Sequence, residues 1–234
     1  MRDLRQDIAG LWHLARNLPV ASGGRVILFI GAHSGAGTSS VAVSFAQLAA
    51  SHSTRMTWLV DLDIRRNPLY TAFSKGLIRE AGRPLHALDA SLGTEQIYSV
   101  PGRENDQAFA RLLNAHQIEG QRLIVTRFRS DRLEAGQRLQ LHTASGWWTA
   151  VRQAAEWIVV DAPPTNRSRA GLAFVSQADA VVLAVKADET PAAAVAELRR
   201  DVELHGGKVL GVVLNGVKND AWICSRLFGP QKSG

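Results

Sequence analysis

The segment Gly31-Ala-His-Ser-Gly-Ala-Gly-Thr-Ser-Ser40 carries the clearest chemistry in the chain. It follows a short apolar run, Arg25–Ile30, and precedes Val41, Phe45, Leu48 and Ala49, which share one face of a helix. A glycine-rich turn between a strand and a helix makes a phosphate cradle. Its backbone N–H groups point inward, and the helix N-terminus adds partial positive charge. Gly35, Ala36 and Gly37 occupy the turn, and Ser39 stands where a hydroxyl can meet Mg²⁺. The phosphate-loop pattern places lysine directly after Gly37, but this chain has Thr38 there. Ala32 stands in place of the pattern's first glycine.

Three carboxylates accompany the loop. Asp61 and Asp63 end the apolar run Met56–Val60, and Asp161 ends Trp157–Val160 and is followed by Ala162-Pro163-Pro164. In a parallel sheet these strand ends share the edge where ligands bind. Each aspartate alone reads equally well as a helix cap or a loop hydrogen bond. All three on one edge point to a site for Mg²⁺ and its waters. His33 can meet a phosphate only when protonated, and otherwise reads as a loop histidine. The seven histidines and single cysteine show no ligand spacing, so no zinc is expected. Ser34 lacks the flanking glycines of a hydrolase nucleophile, because Ala32 and Ala36 hold those positions.

The elements that position these residues alternate. Residues 1–18 read as a helix, with Ile8, Leu11, Trp12, Ala15 and Leu18 on one side, ended by Pro19 and Ser22-Gly23-Gly24. Ala180–Val185 and Val209–Leu214 are further strand candidates, separated by a helix over about 191–205. Strands apolar on both faces, alternating with helices, predict an α/β fold with a mostly parallel sheet sandwiched between helices. The stretch 69–150 is arginine-rich and broken by glycines. It predicts helices and one short strand near Leu123–Val125. Trp147 and Trp148 either pack together at a helix edge or leave one ring exposed for a partner.

Composition narrows the class. The chain has 234 residues, 46% hydrophobic and 21% charged, with a formal net charge of +6. This is ordinary globular composition. No apolar run approaches the roughly 20 residues of a membrane-spanning helix, and the charged start lacks a secretory signal's apolar core. One cysteine, Cys224, permits no internal disulfide and fits a cytoplasmic setting. The arginines are scattered, including 122, 127, 129, 132 and 138, and no nucleic-acid recognition motif accompanies them, so DNA is not the expected partner.

Gly31–Ser40, Asp61-Leu-Asp63-Ile-Arg65, Val160-Asp161-Ala-Pro-Pro164, Ala178–Lys186 and Leu210–Val217 together resemble the ParA/MinD superfamily of deviant P-loop ATPases. They are most similar to the bacterial tyrosine kinases, the cytoplasmic partners of exopolysaccharide chain-length regulators. The resemblance covers about residues 24–217 and is weak between 70 and 145. It implies one P-loop domain with a seven- or eight-stranded, mostly parallel sheet over residues 23–218, preceded by a helix and linker over 1–22 and followed by a short tail, 219–234. It further implies ATP or ADP in a cradle of Gly35, Ala36, Gly37, Thr38, Ser39 and Ser40, with Asn215 at the adenine. Mg²⁺ would lie at Ser39, Asp61 and Asp161, and Asp61 and Asp63 would be the catalytic carboxylates.

The departures set the functional expectation. Thr38 replaces the phosphate-binding lysine, and His33 stands where ParA and MinD proteins carry their signature lysine. Residues 219–234 contain no tyrosine, and the only tyrosines are Tyr70 and Tyr98. Gly10–Asn17 lacks the paired arginines of the kinases' ring-forming helix. The expectation is a degenerate, pseudo-ATPase protein with weak ATP and Mg²⁺ binding, not a tyrosine kinase. It would act as regulatory or scaffold partner of an exopolysaccharide synthesis and export complex of capsule or holdfast type. Its partner would be a membrane-embedded chain-length regulator or export component at the inner membrane, and the chain itself a monomer or weak homodimer without a stable ring. The alternative is a slow, active ATPase that positions a partner at a membrane or on DNA. Arg65, Arg66 and Lys186 are the residues that can replace the missing lysine. Trp222–Phe228 is a short amphipathic segment expected to pack on the domain rather than anchor it.

Overall fold

The computed structural model describes residues 1, 3–20, 23–103, 112–143 and 146–217. The strands are β1 Arg25–Gly31, β2 Met56–Asp61, β3 Leu88–Asp89, β4 Tyr98–Ser99, β5 Leu113–Gln117, β6 Leu123–Phe128, β7 Gln140–Leu141, β8 Ala155–Asp161, β9 Ala180–Lys186 and β10 Val209–Asn215. The helices are α1 Ala9–Arg16, α2 Thr38–His52, α3 Pro68–Ser74, α4 Gly146–Ala154, α5 Ala170–Phe174 and α6 Ala192–Leu204. Eight strands form one sheet in the order β10-β9-β1-β8-β2-β6-β5-β3, and β4 pairs with β7 separately. Every pairing from β10 to β6 is parallel, whereas β6–β5 and β5–β3 are antiparallel.

Alternation along β1 explains the layers. Val26, Leu28 and Ile30 face one apolar cluster, which also holds Trp147 and Val151 of α4, Leu172 and Phe174 of α5, and Leu198 and Val202 of α6. Ile27 and Phe29 face the other, built from Leu11, Trp12 and Ala15 of α1, Val41 and Phe45 of α2, and Leu69 and Phe73 of α3. The central strands are covered on both faces, as the unbroken apolar runs require. The N-terminal helix belongs to this core: the Trp12 ring lies 5.8 Å from Phe45 and 4.8 Å from Trp157. It is shorter than the periodicity suggested, eight residues over Ala9–Arg16.

The sequence reading of 69–150 needs correction. The described part of this stretch holds five strands rather than one: β3, β4, β5, β6 and β7. Leu113–Gln117 mixes Asn114, His116 and Gln117 into a strand whose ladder with β6 is antiparallel. Its apolar positions are too few to stand out as a period-2 pattern. Both tryptophans are buried and meet edge to face, 4.8 Å apart, so neither is a partner surface. The Trp222–Phe228 segment lies outside the described residues.

Candidate functional site

The strand ends gather the chemistry on one edge of the sheet. β1 runs into the glycine loop, β2 ends at Asp61 and β8 ends at Asp161. Asp61 and Asp161 are register partners across adjacent strands. The loop folds as a cradle because Gly35 and Gly37 adopt positive φ, +90° and +84°, where a side chain is strained. Gly37 is also packed from beneath, since a Cβ there would lie 1.8 Å from Asn215 Nδ2. The loop then delivers its N–H groups to the start of α2, a 15-residue helix.

A cleft of about 330 Å³ opens over this loop. It is lined by His33 through Ser40 together with Asp63, Arg66, Pro68, Asp161 to Pro164 and Arg167. The loop after β8 is tied directly to the cradle. Thr165 N–H donates to the Gly31 carbonyl (3.0 Å), and its hydroxyl donates to the Ala32 carbonyl (3.1 Å). Asp63 sits on the 61–67 turn, which Asn67 clamps to β6: its Nδ2 donates to Phe128 O (2.8 Å) and its Oδ1 accepts from Phe128 N–H (2.6 Å).

The predicted residues divide into two groups. Ser39 donates its hydroxyl to Asp161 Oδ2 at 2.6 Å, while Asp161 Oδ1 is buried without a hydrogen-bond partner. Burial raises the Asp161 carboxyl well above the ordinary range. The neighbouring Asp61 charge adds to this rise, and the Ser39 hydroxyl opposes it. Asp63 lines the cleft and pairs with the Arg167 guanidinium. Asp61 is used differently. It is buried below the cleft, its Oδ1 accepts from Asp63 N–H (2.9 Å), and its Oδ2 accepts from Leu69 N–H at the start of α3 (3.1 Å). Burial pushes its carboxyl up to about 7, against the pull of those two N–H groups. Among the described residues no three carboxylate, imidazole or thiol side chains form a group that could hold a metal ion by themselves.

Thr38 is buried although it belongs to the cleft lining, and its hydroxyl lies 2.7 Å from where a Gly31 Cβ would stand, so the side chain packs against the end of β1. His33 lines the cleft and is tied by a 2.6 Å hydrogen bond between its Nε2 and Thr190 Oγ1. Asn215 donates to the Ala36 carbonyl at 3.2 Å and does not line the cleft. Arg65 reaches the Gln137 carbonyl, and Lys186 pairs with Glu189 at 2.7 Å. Neither of the two lines the cleft, whereas Arg66 does. Arg167 is the site residue that sequence reasoning missed. Its only signal was its position six residues after Asp161, in a loop that has to fold back over the same edge.

These residues fit a magnesium–nucleotide phosphate. The cradle would take the phosphates, and Ser39 with the free Asp161 oxygen would take the cation. The architecture is an α/β domain with an eight-stranded, mostly parallel sheet flanked by helices, and solved structures share it. No protein-family profile and no characterised sequence matches the chain. The VpsO kinase domain superposes with a TM-score of 0.62 at 16% identity, over 92% of this chain and 95% of that one. The BceF tyrosine kinase domain gives 0.56 at 19%, over 92% and 75%. The kinase domain of the Escherichia coli tyrosine kinase ETK gives 0.54 at 14%, over 92% and 74%. The chain has the fold of these bacterial tyrosine kinase domains.

Proposed function

We propose that this chain is a nucleotide-responsive regulatory or scaffold protein built on a tyrosine-kinase-like P-loop domain, with little or no ATP turnover of its own. The observation that carries the reading is Thr38, neutral and packed against Gly31 in a loop that otherwise keeps its backbone cradle, its Ser39 and its buried Asp161. A lysine ammonium at this position would contact the β- and γ-phosphates and offset charge as the γ-phosphoryl leaves. Losing a preorganised donor of this kind costs about 3–4 kcal/mol in the transition state. That corresponds to a rate loss of about 10²- to 10³-fold.

When bound, the magnesium ion neutralises phosphate charge. The backbone N–H groups of Gly35–Ser39 would orient the phosphates, the Ser39 hydroxyl and Asp161 would hold the cation, and Asp63 would be a second carboxylate in the cleft lining. Phosphorylation of the chain's own tyrosines is also disfavoured. Tyr98 is buried with its hydroxyl accepting from Leu112 N–H (2.7 Å), and Tyr70 stacks 4.6 Å from His116. By the motif resemblance, the partner is a membrane component of exopolysaccharide synthesis or export, which this chain would meet from the cytoplasmic side. Among the described residues no helix is long and apolar enough to cross a membrane.

The second reading, a slow ATPase, is favoured by the arginines that line the cleft. Phosphate release measured with Mg²⁺ and ATP separates the two. The first reading expects no turnover in the native chain and measurable turnover in Thr38→Lys. Robust native turnover abolished by Asp63→Ala would overturn it.

A further inference from the structure

We propose that Arg167, released from Asp63, supplies the cation that the phosphate loop lacks, so that the Asp63–Arg167 pair is a latch opened by a di- or triphosphate in the cradle. The inference rests on the reading of this cleft as a nucleotide site.

Four observations carry it. First, Arg167 and the loop Ser34–Ser40 line the same cleft. Second, the segment bearing Arg167 is pinned to the cradle's own start through Thr165 and through Asn166 N–H, which donates to the Ala32 carbonyl at 3.3 Å. Three hydrogen bonds therefore fix the backbone immediately before Arg167 against the start of the loop, while its guanidinium pairs with Asp63. Third, two other cations near the site are engaged elsewhere, Arg65 with the Gln137 carbonyl and Lys186 with Glu189, and the His33 ring bonds to Thr190. Arg66 lines the same cleft but is exposed, which suits a second, weaker contact. Fourth, the buried Asp161 oxygen without a partner marks the cleft as a place that takes a further ligand.

Arginine suits the task. Its planar fork binds phosphate oxygens bidentately, where lysine offers a point charge. In the free chain Asp63 occupies that fork. The pair is only partly buried, with side-chain exposures of 32% and 15%, so the guanidinium can turn to a competing oxyanion. A phosphate with more negative charge than one carboxylate wins that competition. Two observable features follow: selectivity for ligands with at least two phosphates, and an inhibitory role for Asp63.

The test is calorimetric titration of the full chain with Mg²⁺-pyrophosphate, Mg²⁺-ADP and Mg²⁺-ATP, without reference to turnover. Arg167→Ala is expected to weaken all three by about tenfold or more, about 1.4 kcal/mol. Arg167→Lys is expected to recover most of the loss. Asp63→Asn, which frees the guanidinium, is expected to tighten binding several-fold. Unchanged melting temperatures for the variants confirm that the fold is intact. Binding by Arg167→Ala within twofold of the native chain overturns this inference alone. Looser binding by Asp63→Asn also overturns it, because the carboxylate would then be holding the ligand or its cation. No binding of any of the three by the native chain overturns the nucleotide reading and this inference with it.

Discussion

Asp61 and Asp161 lie side by side at the ends of β2 and β8, both buried, Asp61 below the cleft and Asp161 in its lining. Burial raises both carboxyls, that of Asp61 to about 7. In the unfolded chain an aspartate ionises near pH 3.9. Between about pH 4 and pH 7 the folded state therefore holds protons that the unfolded state has released, and stability falls as pH rises through this window. Integrated from pH 5.5 to pH 8, Asp61 alone accounts for a loss of about 2 kcal/mol. The His116 imidazole, held below its usual range by burial, acts in the opposite direction. The clean readout is therefore the difference between the native chain and Asp161→Asn, which keeps an acceptor for the Ser39 hydroxyl and removes one charge. Urea unfolding at the two pH values, without Mg²⁺, is expected to show the variant more stable than the native chain at pH 8. The two should converge at pH 5.5. Millimolar Mg²⁺ at pH 8 is expected to raise the stability of the native chain and leave the variant nearly unchanged. Native stability that matches the variant's at both pH values would refute the reasoning, since the paired carboxylates would then ionise without cost.

Gly37→Ala places a Cβ on the Asn215 amide and strains a positive φ, so it is expected to destabilise by more than about 1 kcal/mol. Adding Asn215→Ala should recover part of that loss, and a double-mutant cycle by thermal melting checks the coupling. Arg152 joins Asp179 at 2.8 Å and donates to the Gly24 and Gln177 carbonyls. Arg152→Ala is expected to cost about 1.5–3 kcal/mol in urea unfolding, because charged hydrogen bonds are lost together. Trp147 is fully buried and donates its Nε1–H to the Ala90 carbonyl at 2.5 Å. Trp147→Ala is expected to cost about 3–5 kcal/mol, and wild-type stability in that variant would mean that β3's flank is not anchored by the ring.

The central strands were legible because burial on both faces forces runs such as Val26–Ile30 and Val181–Val185 to be apolar throughout. Edge and hairpin strands face no such demand. β5 carries Asn114 and Gln117 because only one side meets the core, and β3, β4 and β7 span two residues each. No periodicity can declare itself over two residues. The tryptophan pair left two readings open for a related reason: Trp148 is covered by Phe174, 4.2 Å away, from an element remote in sequence.

The site was legible in its parts but not in their division of labour. An aspartate after an apolar strand looks the same whether its oxygens face a ligand or its own backbone. Asp61 and Asp63 are two residues apart, yet one closes the turn into α3 and the other faces the cleft. What separates them is where the chain goes next. The turn needs an acceptor for the N–H groups of Asp63 and Leu69, and Asp61 is the residue beneath both. The same logic bears on the missing lysine. A neutral residue after Gly37 does not leave the cleft without cations, because the loop from Asp161 onward folds back across the sheet edge and brings Arg167 with it. Charge at this edge is a property of three chain segments together, the glycine loop, the 61–67 turn and the 162–169 loop. A motif read along any one of them is therefore incomplete. Loss of the lysine alone argues for slowed chemistry. With an arginine lining the same cleft, it favours the proposed site, one that would keep recognition of phosphate while giving up the point charge that drives transfer.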